Sequence, residues 1–217
     1  MQISQLIFSA GVVAWPLLLF SVLAIALISE RSYFWLKILK KQKPIVRKAF
    51  NLFEKDWYSA LGLLKKHPEL PMCRIFLEAL ALDKPTPAKF RLALENAAQA
   101  ELPSLRRFNT IFDTIITVSP LLGLLGTVLG LMASFSSLQL GNLGSSDTVG
   151  VTGGLSEALS STVLGLIVAI FTLFFSNTFK GLYRRQVSSI QECTGRLELL
   201  QDEYYEQGLK IHETARK

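Results

Sequence analysis

Glu157 is the residue whose type and position most clearly indicate chemistry. It lies about one helical turn into an otherwise uncharged apolar stretch that runs from about Leu155 to Phe175. A carboxylate at membrane depth costs roughly 2.5 kcal/mol or more, and such residues usually face a water-filled cavity or a partner. Because a carboxyl group can take up and release a proton, we expect Glu157 to lie on a proton path. The alternative is an interfacial glutamate stabilised by the positive end of the helix dipole.

Small and hydroxyl-bearing residues follow Glu157 in the sequence. Ser160 and Ser161 come three and four residues later and share its helical face. Gly165 lies about two turns further along this face, and Thr162 flanks it about 140° round the helix axis. A stripe of small polar side chains inside an apolar helix suits either a proton path or a tight helix–helix interface.

A second apolar stretch carries a complementary face of small side chains. Its members follow one another at steps of four, three and four residues: Gly123, Thr127, Gly130 and Ser134. Gly126 and Gly130 add a pair of small residues at a spacing that lets helix backbones approach closely. We therefore expect Gly123, Gly126, Gly130 and Gly165 to pack helices together. The hydroxyl of Thr127 either faces Glu157 or donates to a carbonyl of its own helix.

Three apolar stretches position these residues. The sequence is 50% hydrophobic with a mean hydropathy of +0.35, which is too apolar for an ordinary soluble domain of 217 residues. We predict transmembrane helices at residues 10–29, 114–136 and 155–177, each long enough to cross about 30 Å of hydrocarbon. The predicted fold is an all-α integral membrane protein with long cytoplasmic helical extensions.

The distribution of positive charge predicts the orientation. Sixteen of the 23 Lys and Arg lie between Arg31 and Arg107, and the other seven lie between Lys180 and Lys217. By the positive-inside rule, the helical region 30–113 and the helical tail 178–217 are cytoplasmic. The short N-terminus 1–9 and the connection 137–154 then lie on the periplasmic side, where Asp147 is expected to be a solvated turn residue.

The net charge of +6 is explained by this topology and by attraction to anionic lipid on the cytoplasmic side. Nucleic-acid binding is not expected, because aromatic and basic residues do not interleave as they do in RNA-binding modules. Cys73 and Cys193 are predicted to be unpaired thiols in the cytoplasm. The sequence has no phosphate-binding loop, no HExxH and no GxSxG motif, so we expect no enzyme activity, no metal and no cofactor.

The cytoplasmic region is predicted to be helical throughout. Thr86 can cap a helix that has Pro87 at its first position. We expect this helix to continue, with a bend near Pro103, straight into the second span. The third span has no stop signal at its inner end and is expected to extend through most of the tail.

Two segments resemble a known family when they are taken together. SPLLGLLGTVLGLMASF (119–135) and GLSEALSSTVLGLIVAI (154–170) resemble the paired signature of the MotA/TolQ/ExbB proton-channel proteins. WPLLLFSVLAIALISER (15–31) resembles the first span of ExbB more than that of TolQ. The resemblance covers the three spans, and the chain lacks the fourth span expected of a flagellar stator of the MotA type.

The resemblance implies a bacterial inner-membrane protein that forms a homopentameric ring whose second and third spans line a central pore. A dimer of single-span ExbD/TolR-like helices, each with an aspartate, would occupy the pore. The proton motive force would then drive motion that a TonB-like protein passes to outer-membrane transporters. Glu157 corresponds to the family's intramembrane glutamate, and Thr127 and Thr162 correspond to its pore threonines.

Three alternatives remain open from the sequence. The chain could be a TolQ-like subunit for envelope maintenance, a non-conducting membrane scaffold, or a stand-alone cation channel. The transported ion could be a proton or sodium, and the cargo that is energised is open as well.

Overall fold

The structure is a computed structural model that describes residues 11–83, 85–140 and 147–214, and the side chains of residues 12–83, 85–136 and 152–206. The predicted periplasmic N-terminus, residues 1–9, lies outside the described residues. The described part of the chain is helical and contains no strand. After a short 3-10 turn at Gly11–Val13, its helices are α1 (Ala14–Phe53), α2 (Trp57–Lys65), α3 (Pro71–Leu80), α4 (Pro87–Leu105), α5 (Asn109–Leu140) and α6 (Asp147–Thr214).

Three helical stretches contain a window long and apolar enough to cross a membrane: α1 (Ala14–Phe53), the stretch Pro87–Ser136 that contains α4 and most of α5, and Thr152–Glu206 within α6. Only 22 to 33% of the most apolar window in each is buried within the chain. Contact between so much apolar surface and water is unfavourable, so lipid or another subunit must cover it. The all-α integral membrane fold with three spans is therefore confirmed.

The second span does not join the preceding helix as predicted. The sequence predicted one bent helix that continues from Pro87 into the membrane, but α4 ends at Leu105 and α5 begins at Asn109. Pro103 lies within α4, and the break is made by the turn that follows, in which Phe108 has a φ of 69°. A bulky residue seldom adopts a positive φ, so nothing in the sequence marked this position. Thr86 stands at the N-cap of α4, but its side chain makes no capping hydrogen bond.

The connection between the second and third spans is shorter than the sequence predicted. Residues 137–154 were expected to form a loop, but α5 continues to Leu140 and α6 already begins at Asp147. Asp147 is therefore the first residue of a helix instead of a turn residue. A Gly-, Ser- and Thr-rich segment favours a loop when nothing packs on it, whereas a helix neighbour can stabilise it.

The chain divides into two compact units. The membrane unit contains residues through Arg31 together with Phe108–Phe179, and the charged unit contains Ser32–Arg107 and Lys180–Lys217. Of the 23 Lys and Arg, Arg31 alone falls in the membrane unit and the other 22 fall in the charged unit. The compact units thus follow the charge segregation from which the topology was predicted.

The charged unit has a core of large side chains. Phe76 is completely buried and packs edge-on against Phe50 at a ring-centroid distance of 5.7 Å. Trp57 lies 5.5 Å from the ring of Tyr204, so this core joins α2 to the C-terminal part of α6. Such aromatic pairs contribute roughly 0.5–1.5 kcal/mol beyond their buried area.

An ion pair and two free thiols complete this unit. Arg74 on α3 donates two hydrogen bonds, of 2.7 and 2.6 Å, to the carboxylate of Glu101 on α4. Cys73 and Cys193 are both free. Burial raises the pKa of Cys73 to about 11, which leaves very little reactive thiolate at neutral pH.

Candidate functional site

Helices α5 and α6 pack through two rows of small residues in the membrane unit. We call this contact the hairpin seam and define it by seven buried residues: Gly123, Gly126 and Gly130 of α5, and Gly154, Ala158, Ser161 and Gly165 of α6. On each helix the members recur at steps of three and four, so they form one continuous face. The four glycines expected from the sequence to pack helices all lie in it.

The two backbones approach so closely at the seam that a side chain does not fit. A Cβ atom on Gly130 would lie 2.7 Å from the carbonyl oxygen of Gly154 and 2.9 Å from the nitrogen of Ala158. A Cβ atom on Gly165 would lie 2.5 Å from the carbonyl oxygen of Ser119. These obstacles are backbone atoms that cannot rotate away, so glycine is required for close approach and not for its conformational freedom.

Two hydroxyl groups of α6 converge on one carbonyl of α5. The Thr162 hydroxyl donates to the Gly123 oxygen at 3.1 Å. Ser161 Oγ lies 3.2 Å from the same oxygen and 2.8 Å from the Ala158 oxygen of its own helix. Since a serine hydroxyl has a single proton, Ser161 shares it between the two carbonyls. These polar links fix the register of α5 against α6 inside the membrane unit.

Thr127 lies beside the seam, and its hydroxyl faces its own helix. It donates to the Leu124 carbonyl at 2.6 Å, which is the second of the two arrangements expected from the sequence. Within a single chain, the Thr127 hydroxyl therefore does not face Glu157. The Thr127 side chain remains half-exposed.

Glu157 lies at the margin of the seam, one residue before Ala158 and four before Ser161. Its side chain is half-buried, and among the described residues it makes no hydrogen bond and no ion pair. Ser160, on the same side of α6, is 7% exposed. The carboxylate thus lies next to a tightly packed interface without belonging to it.

The sequence reasoning missed Gly154, because it placed this residue in the connecting loop. In the structure Gly154 is helical, and a Cβ atom there would collide with Ser134 Oγ and lie 2.7 Å from the Gly130 oxygen. A signal was present: Gly154, Ala158, Ser161 and Gly165 follow at steps of four, three and four residues. The residues that the structure describes contain no group of three or more His, Cys, Asp or Glu side chains that could hold a metal ion.

Comparison with known proteins identifies the family. The model of the MotA/TolQ/ExbB proton channel family matches residues 67–192, which include Thr127, Glu157 and Thr162. The chain belongs to this family. The match also covers the whole hairpin seam, so the packed hairpin lies within the part of the chain that the family shares.

Curated relatives extend the similarity over nearly the whole chain. The chain is 57% identical to the "Putative biopolymer transport protein ExbB-like 3" of Synechocystis sp. over 92% of its own length and 95% of the relative. It is 37% identical to the ExbB-like 1 protein of the same organism over 90% of this chain and 77% of the relative. The biopolymer transport protein exbB1 of Vibrio cholerae is 31% identical over 78% of this chain and 75% of that protein. These relatives bear transport-protein names and not enzyme names.

Proposed function

We propose that the chain is an ExbB-like stator subunit of a proton-driven motor in the bacterial inner membrane. With an ExbD-like single-span partner, it uses the proton motive force to energise TonB-dependent outer-membrane transport. The observation that carries this proposal is Glu157, a half-buried carboxyl group without a partner at the edge of a glycine-packed hairpin. Family membership and the similarity to ExbB-like biopolymer transport proteins support it.

The surroundings of Glu157 favour a role at a water-filled surface. A charged carboxylate in a span needs water, a counter-ion or a hydrogen-bond donor. Among the described residues, the chain supplies neither a counter-ion nor a hydrogen-bond donor to Glu157. We therefore expect the carboxylate to meet water in a pore or a group on another subunit. Either environment lets the carboxyl group exchange protons.

The two threonines have a different role in this proposal. Thr127 and Thr162 both donate their proton to a helix carbonyl, so each hydroxyl oxygen keeps lone pairs for a water or a proton carrier. Thr162 and Glu157 are five residues apart, which places them about 140° from each other round α6. A pore lined by both therefore needs side chains from adjacent subunits, as in a ring. We propose a homopentamer, by the family resemblance.

The exposed apolar surface also favours assembly. Large side chains project from both helices beside the seam: Leu121, Leu125, Met132 and Phe135 on α5, and Leu159, Ile167, Ile170 and Phe174 on α6. Neighbouring copies, lipid and a single-span partner helix would cover this surface. By the positive-inside rule, we propose that the basic charged unit lies in the cytoplasm, next to anionic lipid, and that the N-terminus lies in the periplasm.

A non-conducting scaffold is the second candidate function. Its support is that the hydroxyls of Ser161, Thr162 and Thr127 all bond to helix carbonyls, as they would in a contact that serves packing alone. In that case Glu157 would anchor an assembly through a hydrogen bond. A TolQ-like role in envelope maintenance would use the same chemistry as the main proposal with a different output.

Proton transport by Glu157 variants separates these functions. The chain would be reconstituted in liposomes with its single-span partner, and flux measured under a pH gradient and, separately, under a sodium gradient. Glu157→Gln and Glu157→Ala both remove the titratable group, so we expect each to lower proton flux by about 100-fold or more. Glu30→Gln is the control, because Glu30 is an exposed carboxylate at the end of the first span.

Each other result decides against one candidate. Full flux in both Glu157 variants would sink the proton-path role. If Glu157→Gln kept assembly and function while Glu157→Ala lost both, the scaffold would be favoured. Equal flux without the partner would indicate a stand-alone channel. Flux that depends on the sodium gradient would identify sodium, instead of the proton, as the transported ion.

A further inference from the structure

A groove in the charged unit plays no part in the proposed function. It lies between the part of α1 from Trp35 to Phe50 and the part of α6 from Leu182 to Arg196, and it encloses about 600 Å³. These helix segments are about 23 Å and about 21 Å long at 1.5 Å per residue. The groove is therefore elongated, and it lies wholly within the charged unit.

The floor of the groove is a pair of buried amides. Gln42 and Gln186 are 5% and 7% exposed, and Gln42 Nε2 donates to Gln186 Oε1 at 3.1 Å. The other half of each amide, Gln42 Oε1 and Gln186 Nε2, is buried with no hydrogen-bond partner. Leaving such a group unpaired costs roughly 1–3 kcal/mol. One acceptor and one donor on neighbouring side chains match what a peptide group offers.

The rim of the groove is positively charged. Four cations line it, Lys43, Arg47, Arg185 and Arg196, with Glu192 as the single carboxylate. Arg196 is already engaged, since its guanidinium lies over the ring of Phe50 and 3.5 Å from Glu54. In the described part of the chain the other three have no ion pair. Arginine binds carboxylates through two parallel hydrogen bonds, so the rim favours carboxylate groups.

The shape of the groove favours an extended chain over a compact anion. Since alternate side chains of an extended chain point in opposite directions, a polypeptide lying along the groove would leave half of its side chains in solvent. Six extended residues span about 20 Å, which is the length available.

We propose that this groove binds an extended acidic segment of a partner polypeptide. Its carboxylates would pair with Lys43, Arg47 and Arg185, and a rotation of the Gln42 and Gln186 side chains would let a peptide group bond to their unpaired halves. The occupant would reach the groove from the cytoplasm, which rests on the proposed orientation, but the binding itself is independent of proton transport. Loss of peptide binding and loss of flux are therefore separate results.

Binding of a labelled peptide tests this proposal. The full chain in nanodiscs of zwitterionic lipid would be titrated into a fluorescent eight-residue peptide with Asp at alternate positions, and anisotropy measured. We expect saturable binding that weakens about tenfold or more when Asn replaces each Asp, and that weakens again at high salt because exposed charges are screened. Equal binding of the Asn peptide would overturn the proposal.

Matched variants locate the site. The double variant Lys43→Ser with Arg185→Ser should weaken binding about tenfold or more, because it removes two rim cations. Lys41→Ser with Arg184→Ser is the control, since these exposed cations occupy the same helices but do not line the groove. Ser189→Trp should block binding by filling the groove while every cation stays in place. Equal loss in the control, or unaltered binding to Ser189→Trp, would overturn the assignment.

Two other occupants are distinguishable. If nanodiscs with anionic lipid abolished peptide binding at an ionic strength that screens the lipid charge, while zwitterionic nanodiscs still bound the peptide at that ionic strength, the groove would be a lipid site. If Ser189→Cys formed a cross-link between two copies of the chain at full yield, the groove would be an interface between copies. Either result would overturn the peptide proposal.

Discussion

The membrane unit and the charged unit are packed by side chains of different size. Of the twelve largest fully buried side chains in the described residues, nine lie in the charged unit, among them Phe76, Phe90 and Met72. The contact between α5 and α6 instead uses glycine, alanine and serine. In water, burying a large apolar side chain is strongly favourable, whereas in lipid it gains little because the surroundings are already apolar. Between α5 and α6, close backbone contact and hydroxyl–carbonyl hydrogen bonds therefore take the place of large buried side chains.

The polar contacts between helices also differ in the two units, since one unit uses charged groups and the hairpin seam uses neutral ones. In the charged unit, Arg74 and Glu101 form a charge-assisted pair across two helices. At the hairpin seam of the membrane unit, neutral hydroxyls of α6 bond to the Gly123 carbonyl of α5. A full charge is expensive in a span, and Glu157 is therefore conspicuous because no seam contact accounts for it. The comparison separates the residues that hold the hairpin seam together from Glu157, which the seam does not explain.

The largest effect expected from this comparison is at Phe76. Phe76→Ala leaves a cavity in the aromatic core of the charged unit, and we expect a loss of roughly 3–5 kcal/mol in the free energy of unfolding. Limited proteolysis of the chain in nanodiscs would show cleavage within 32–107 at a lower denaturant concentration. Tyr58→Ala is a matched control, because Tyr58 is an exposed aromatic residue of the same unit. Equal sensitivity of the two variants would contradict the proposed core.

A smaller effect is expected at Gly154. Gly154→Ala puts a methyl group against Ser134 and the Gly130 carbonyl, and such overpacking costs roughly 1–3 kcal/mol. Part of this loss is offset by the higher helix propensity of alanine, which is worth about 1 kcal/mol. Thermal unfolding in detergent would measure the net loss.

Gly153→Ala provides the control for this change. A Cβ atom on Gly153 meets nothing within 4 Å, so the substitution should stabilise the helix or have no effect. If Gly153→Ala and Gly154→Ala behaved alike, the hairpin seam would not be the contact that the structure describes. Opposite signs for two adjacent glycines would be hard to explain in any other way.

The smallest effect is expected at Ser161. Ser161→Ala removes a hydroxyl that is shared between two carbonyls, and a neutral hydrogen bond is worth roughly 0.5–1.5 kcal/mol. The Thr162 hydroxyl still donates to Gly123, which limits the loss further. Thermal unfolding of Ser161→Ala beside Ser160→Ala would measure it, since Ser160 lies outside the seam. A loss as large as that of Phe76→Ala would mean that polar bonds and not close packing hold the hairpin.

The sequence predicted the elements better than their contacts. The three spans follow from largely uncharged stretches of the required length, and the long extension of α6 beyond the third span follows from helical periodicity without a stop signal. The turn at 106–108 was missed because Phe108 adopts a backbone conformation that its side chain disfavours. Gly154 was missed because glycine, serine and threonine indicate a loop unless a facing helix is known.

The amino-acid sequence by itself determined that this chain is helical, crosses a membrane three times, separates its charge from its spans, and carries one carboxylate among them. These properties depend on local composition and period, which need no knowledge of neighbours. The tertiary structure decided that Gly154 belongs to the seam, that Thr127 bonds to Leu124, and that Gln42 meets Gln186 across 144 residues of chain. Such contacts join residues far apart in sequence, and only the packed backbone fixes which atoms come within hydrogen-bonding distance.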